Sequence, residues 1–236
     1  MVKLKSPALI NQMALDVVRK LRAPAEIDAV ILFGSHARGC ARPDSDVDLL
    51  VVVQEGFKQT SEFYQNTIFE ITFVTKQATM DWWRKNPDHS VMLWRYAKVL
   101  YDRDETGQHL RAFSEQIEKL GKPALLPKEI EKRKQAASYQ LVSLSALATQ
   151  DSRTANFVLN EKMAGYILDY FTVRQMWAPP AKERLPEIRI QDHTTAKILD
   201  QFSVPEQPLD RKLNLAKELI EIIFDPNAGS SSPKAP

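Results

Sequence analysis

One run of seven residues, Val47-Asp48-Leu49-Leu50-Val51-Val52-Val53, constrains the fold of this chain more than any other stretch. Side chains on a strand point alternately to opposite faces, so a strand with one wet face alternates apolar with polar residues. Here both parities are apolar apart from Asp48. Such a strand is stable only when both of its faces are covered, which calls for a sheet with helices layered on each side. It is far too short for the ~20 apolar residues of a membrane span, and it contains an acid.

The flanking sequence supplies the layers. Apolar positions at Ile10, Met13, Ala14, Val17, Val18 and Leu21 predict one helix over residues 6–21. A strand follows at Ile27–Phe33 and stops at Gly34-Ser35. The turn Arg42-Pro43-Asp44-Ser45 leads into a second strand, Asp46–Val53. Further strands read Thr67–Thr75 and Lys98–Tyr101, and Met80–Ala97, with Trp82, Trp83 and Trp94, reads as helical. The expected class is α+β: a mixed sheet flanked by helices, followed by an all-α bundle.

From Asp104 the spacing is helical through Phe113–Leu120, Ile130–Ala148, Phe157–Met176, Ala196–Phe202 and Leu209–Phe224, with prolines between segments. The expected domains are residues 1–103 and 104–225, then a disordered tail over 226–236 containing Gly-Ser-Ser-Ser-Pro. Residues 104–225 hold 17 Lys/Arg against 18 Asp/Glu, and the whole chain carries a net charge of +2. Nucleic acid and anionic membrane are therefore not expected partners, and any phosphate must be held by a local site. Cys40 is the only cysteine, which rules out an internal disulfide and argues against a cysteine zinc site. The N-terminal residues show no apolar signal-like core, so a cytoplasmic location is expected.

The chemistry concentrates in Phe33-Gly34-Ser35-His36-Ala37-Arg38-Gly39 and Ser45-Asp46-Val47-Asp48-Leu49. A strand ending in Gly-Ser and opening a short helix offers backbone N–H groups and a hydroxyl to a phosphate, and Gly34 permits close approach. The plainer alternative is a glycine turn with Ser35 as N-cap. Asp46 and Asp48 lie two apart on a strand and would share a face. Paired carboxylates on a covered strand call for a cation, and their hard oxygens suit Mg²⁺ completed by phosphate and water. Glu70 sits within Ile68-Phe69-Glu70-Ile71-Thr72-Phe73, where a partner such as a second ion or a reacting hydroxyl would explain it. The alternative is an edge-strand charge facing water. Arg38 and Arg42 flank the loop and could neutralise phosphate, or be solvated loop residues.

The combination Gly34-Ser35-x-x-x-Gly39, Ser45-Asp46-x-Asp48-Leu49 and an acid on the next strand resembles the DNA polymerase β-like nucleotidyltransferase superfamily, in its minimal and antibiotic-type members. The resemblance covers roughly residues 10–103. It implies that Gly34 and Ser35 grip a triphosphate, that Asp46 and Asp48 bind Mg²⁺, and that Glu70 binds a second ion or activates the acceptor. The activity implied is transfer of an NMP from an NTP, ATP foremost, to a hydroxyl of a small-molecule acceptor such as an antibiotic, with release of pyrophosphate. Transfer to a protein side chain and non-catalytic nucleotide binding are the alternatives, and a homodimer is left open. One departure is that Glu70 stands where Asp is usual.

In the helical half, Phe157, Ala164, Ile167, Leu168 and Phe171 are expected to form one face, with Asn160 within it, Glu161 at its edge and Lys162 on the polar side. The resemblance makes Glu161 a candidate base toward the acceptor, with an interhelical hydrogen bond or salt bridge as the alternative. Arg103-x5-His109 has the spacing of a HEPN-type ribonuclease motif, but it falls in a turn that contains Gly107, and that reading is rejected.

Overall fold

The computed structural model describes residues 5–225. Helix α1 (Pro7–Leu21) starts where Ser6 accepts a hydrogen bond from the Leu9 amide at 3.3 Å, with Pro7 in the first turn where its missing N–H costs nothing. It buries Ile10, Met13, Ala14, Val17 and Val18, the predicted face.

Five strands form one sheet: β1 (Ile27–Phe33), β2 (Val47–Val53), β3 (Lys58–Tyr64), β4 (Thr67–Thr75) and β5 (Lys98–Asp102). Their order is β3-β4-β2-β1-β5, with β2 and β4 parallel and the other neighbours antiparallel. Between β1 and β2 lies a short helix, α2 (Gly34–Arg38). One face of β2, through Val47, Leu49, Val51 and Val53, packs with Phe69, Ile71, Phe73 and α1. The other, through Leu50 and Val52, packs with Trp83 of α3 (Lys76–Lys85), Leu93 and Trp94 of α4 (Pro87–Trp94), and Leu110 of α5 (Thr106–Leu120). The two-sided cover demanded by the apolar run is present. Each such side chain contributes about 1.5–3 kcal/mol by leaving water.

The structure departs from the sequence reading at several points. Strand β3 was not expected, because Lys58-Gln59-Thr60-Ser61-Glu62 is polar and the strand is a largely exposed sheet edge. The helix expected over 80–97 is two helices, since Pro87 opens α4 and cannot continue α3. The expected division was at 103/104, and the described residues fall into two compact units divided between Leu120 and Gly121. Buried Leu110 packs α5 against the sheet and draws that helix into the first unit.

The second unit holds α6 (Pro127–Gln150), α7 (Ser152–Val173), α8 (Ala181–Gln191), α9 (His193–Phe202) and α10 (Leu209–Ile223) around one apolar core. Helix α8, with Pro186 inside it and only Ile188 buried, was not foreseen. The face expected on α7 is corrected: Phe157, Ala164 and Leu168 are exposed, Ile167 is half-buried, and of the expected residues Phe171 is buried, along with Ala155, Leu159, Met163, Tyr166 and Tyr170. Apolar residues lie all round this helix, so spacing alone did not select the right stripe. Arg174 closes its end, stacking 4.1 Å from the Tyr170 ring and pairing with Asp192 at 3.8 Å. The tail expected to be disordered, 226–236, lies outside the described residues.

Candidate active site

The carboxylate-bearing end of the sheet is built by register. Phe33 of β1 pairs with Asp48 of β2, Asp48 with Glu70 of β4, and Glu70 with Ser61 of β3. One row across four strands therefore brings Asp48 and Glu70 side by side. Leu50 and Val52, on the same face of β2 as Asp48, are covered by the helices, whereas Glu70 is exposed and Asp48 half-buried. The acids thus sit at the open end of an otherwise covered face.

The chain turns into α2 directly beside this row. Gly34 has φ +71°, and a Cβ added to it would lie 1.8 Å from Asp48 Oδ2 and 2.8 Å from its Cγ. The Asp48 carboxylate occupies the space that any other residue at position 34 would need. Gly39 ends α2 in a left-handed conformation with φ +75°. Ser35 is not the N-cap. That position is Phe33, which provides no side-chain cap, and Ser35 lies inside the helix, mostly buried.

The remaining expected residues are placed as follows. Asp46 precedes the first ladder residue, Val47, and is exposed, so the shared-face argument for Asp46 and Asp48 rests on Asp48 alone as a strand residue. Arg38 is half-buried on α2. Arg42 is exposed and pairs with Asp44 at 3.4 Å in the predicted turn, where Ser45 N–H donates to the Arg42 carbonyl at 3.0 Å. His36 is half-buried with its Nε2 3.4 Å from the Ser45 carbonyl oxygen. Asn160, Glu161 and Lys162 are all exposed on α7, and Asn160 donates to the Asn156 carbonyl at 2.7 Å. They belong to the second unit and are not part of the row.

Sequence reasoning missed Ser61. Its hydroxyl donates to Glu70 Oε1 at 2.6 Å. Gln65 and Asn66, both at positive φ, make a two-residue hairpin turn between Tyr64 and Thr67, and Asn66 is the turn-favouring residue the sequence offered as a signal. That turn sets which β3 residue faces Glu70. Glu70 itself lies on the second strand, not the edge.

The donors gathered here are carboxylate oxygens, the ligands of hard divalent cations. Among the described residues no group of three His, Cys, Asp or Glu side chains could hold a metal ion by itself. The arrangement fits an ion that takes one or two carboxylates and completes its shell with phosphate and water, as Mg²⁺ does. Among the described residues no helix is long and apolar enough to cross a membrane.

Comparison with known proteins gives two findings. A family model described as "Nucleotidyltransferase domain" matches residues 13–140, more than half of the chain and every residue of the row. Among solved structures, a nucleotidyltransferase-like protein from Exiguobacterium sibiricum 255-15 is similar, with a TM-score of 0.45 and 15% identity over 94% of this chain and 77% of that one. No curated protein matches.

Proposed function

The chain belongs to the nucleotidyltransferase domain family, whose general activity is NMP transfer, and we propose that it moves the NMP of an NTP, ATP foremost, to a hydroxyl of a small-molecule acceptor. The observation that carries this reading is the register row. It sets Asp48 against Glu70, with the Asp48 carboxylate lying over a glycine that opens the phosphate-side turn.

In this reading Gly34 and Ser35 hold the triphosphate, and Arg38 and Arg42 neutralise part of its charge. Asp48, with Asp46 just before the strand, would hold Mg²⁺, and Glu70 is left for the acceptor. When bound, such ions neutralise phosphate charge and stabilise the attacking and leaving oxygens. The acceptor oxygen forms a bond to the α-phosphorus, the bond to the bridging oxygen of pyrophosphate breaks, and Glu70 takes up the hydroxyl proton. Transfer of this kind requires positioning and charge neutralisation more than covalent help from the protein, which suits a site of carboxylates on rigid strands.

The test is incubation of the chain with Mg²⁺ and each NTP in turn, against a panel of small hydroxyl-bearing acceptors, with pyrophosphate as the readout. Release that depends on acceptor and is abolished by Asp48→Asn supports the proposal. Turnover by Asp48→Asn within a few-fold of wild type refutes it.

A further inference from the structure

We infer that Ser61 is a positioning residue for the Glu70 carboxylate, an inference that rests on the transfer reading above. The two residues are directly opposite on antiparallel β3 and β4, and the Ser61 hydroxyl donates to Glu70 Oε1 at 2.6 Å. That length falls in the range of hydrogen bonds strengthened by a charged acceptor, about 2.5–2.7 Å. Among the described residues Ser61 is the one hydrogen-bond partner of Glu70.

The need for such a partner follows from the side chain. Glutamate has one more rotatable bond than aspartate, and an exposed glutamate samples many rotamers that point its carboxylate away from the reaction. The neighbours of Glu70 on its own face make no hydrogen bond to it: Ile68 offers no donor, the Thr72 hydroxyl is met by Gln59 Nε2 at 3.4 Å, and Asp48, opposite on β2, is a like charge. Ser61, on the far side from Asp48, supplies the attraction. It draws Glu70 toward β3 through Oε1 and leaves Oε2 for the acceptor hydroxyl. The longer arm at this position and the hydroxyl across from it act as one device: a carboxylate with extended reach, tethered at one oxygen.

The test combines two readouts on full-length protein. The first is a double-mutant cycle of Ser61→Ala and Glu70→Gln in thermal unfolding, without metal or nucleotide. Effects on Tm that fail to add by about 2 °C report the tether, and strict additivity overturns the inference. The second is steady-state pyrophosphate release with MgATP and the best acceptor of the panel. Ser61→Ala should lower kcat about 10- to 100-fold, the scale of a misplaced catalytic group, with KM for ATP within about twofold of wild type. Ser61→Thr, which keeps the hydroxyl on a strand-compatible residue, should restore kcat to within about threefold of wild type. In a Glu70→Gln background Ser61→Ala should add nothing. A coupled cycle with unchanged kcat makes Ser61 a structural residue only and overturns the inference while the transfer reading stands. A wild-type chain that releases no pyrophosphate with any NTP and acceptor overturns the transfer reading, and this inference with it.

Discussion

Two glycines with almost the same backbone make a controlled experiment. Gly34 and Gly39 have φ of +71° and +75°, so an alanine at either pays the left-handed penalty of an L residue, about 1–2 kcal/mol. Their surroundings differ. Nothing lies within 4 Å of a Cβ built on Gly39, whereas one built on Gly34 meets Asp48 Oδ2 at 1.8 Å. Since real contacts of that kind stay beyond 3.0 Å, the carboxylate must move by more than 1 Å. Forcing it off its rotamer adds about 0.5–1.5 kcal/mol. At 2–4 °C per kcal/mol for a chain of this length, Gly39→Ala should lower Tm by roughly 4 °C and Gly34→Ala by roughly 8 °C. Differential scanning calorimetry reads both. The same variants separate in turnover: Gly39→Ala keeps pyrophosphate release, and Gly34→Ala loses about 100-fold, the expected cost of shifting a key carboxylate by an ångström. Pairing Gly34→Ala with Asp48→Ala should recover part of the stability lost. Equal Tm losses for the two glycines, or strict additivity in the double variant, would refute the packing argument.

Two further predictions concern the helical unit and a third concerns α5 of the first unit. Burial raises both Tyr166 and Tyr170 to about 12, aided by Asp169 and Asp192 respectively. The folded state therefore favours the neutral phenols, and their contribution is complete below pH 10 and lost as pH rises from 10 to 12. Urea midpoints should fall across that window, and a Tyr166→Phe/Tyr170→Phe variant should show a shallower fall. Arg174→Ala removes a cation whose side chain is only 10% exposed from Asp192 and the Tyr170 ring, and should cost about 3 kcal/mol in urea unfolding. Arg111→Ala, in a half-exposed pair with Glu115, should cost less than about 0.5 kcal/mol.

What the sequence made legible follows the strength of local signals. Strands β1 and β4 match their predicted limits to the residue, because apolar runs bounded by turn residues leave little choice. Lys58–Tyr64 was illegible as a strand, since an edge strand needs no apolar pattern when β4 supplies its partner. On α7, Phe157 and Leu168 mimic a core stripe that tertiary packing awards to Leu159 and Tyr166. The acids and glycines of the candidate site were visible as motifs. Their juxtaposition was not, because Asp48 meets Glu70 through a parallel pairing between strands separated by a hairpin in the chain. Asp46 and Asp48 looked equivalent by spacing, yet only Asp48 joins the ladder.

The Gln65-Asn66 turn makes the β3–β4 hairpin sensitive to length. Most substitutions on the exposed edge strand should be tolerated, but an added residue in the loop is a different perturbation. If the turn stays at two residues, a one-residue insertion slides β3 by one position, and every side chain on it changes face. Glu62 would then stand across from Glu70 where Ser61 stands now, placing two carboxylates opposite each other. Natural variants of this chain should accordingly vary freely in β3 composition, Ser61 excepted, and keep the number of residues between Ser61 and Glu70 fixed.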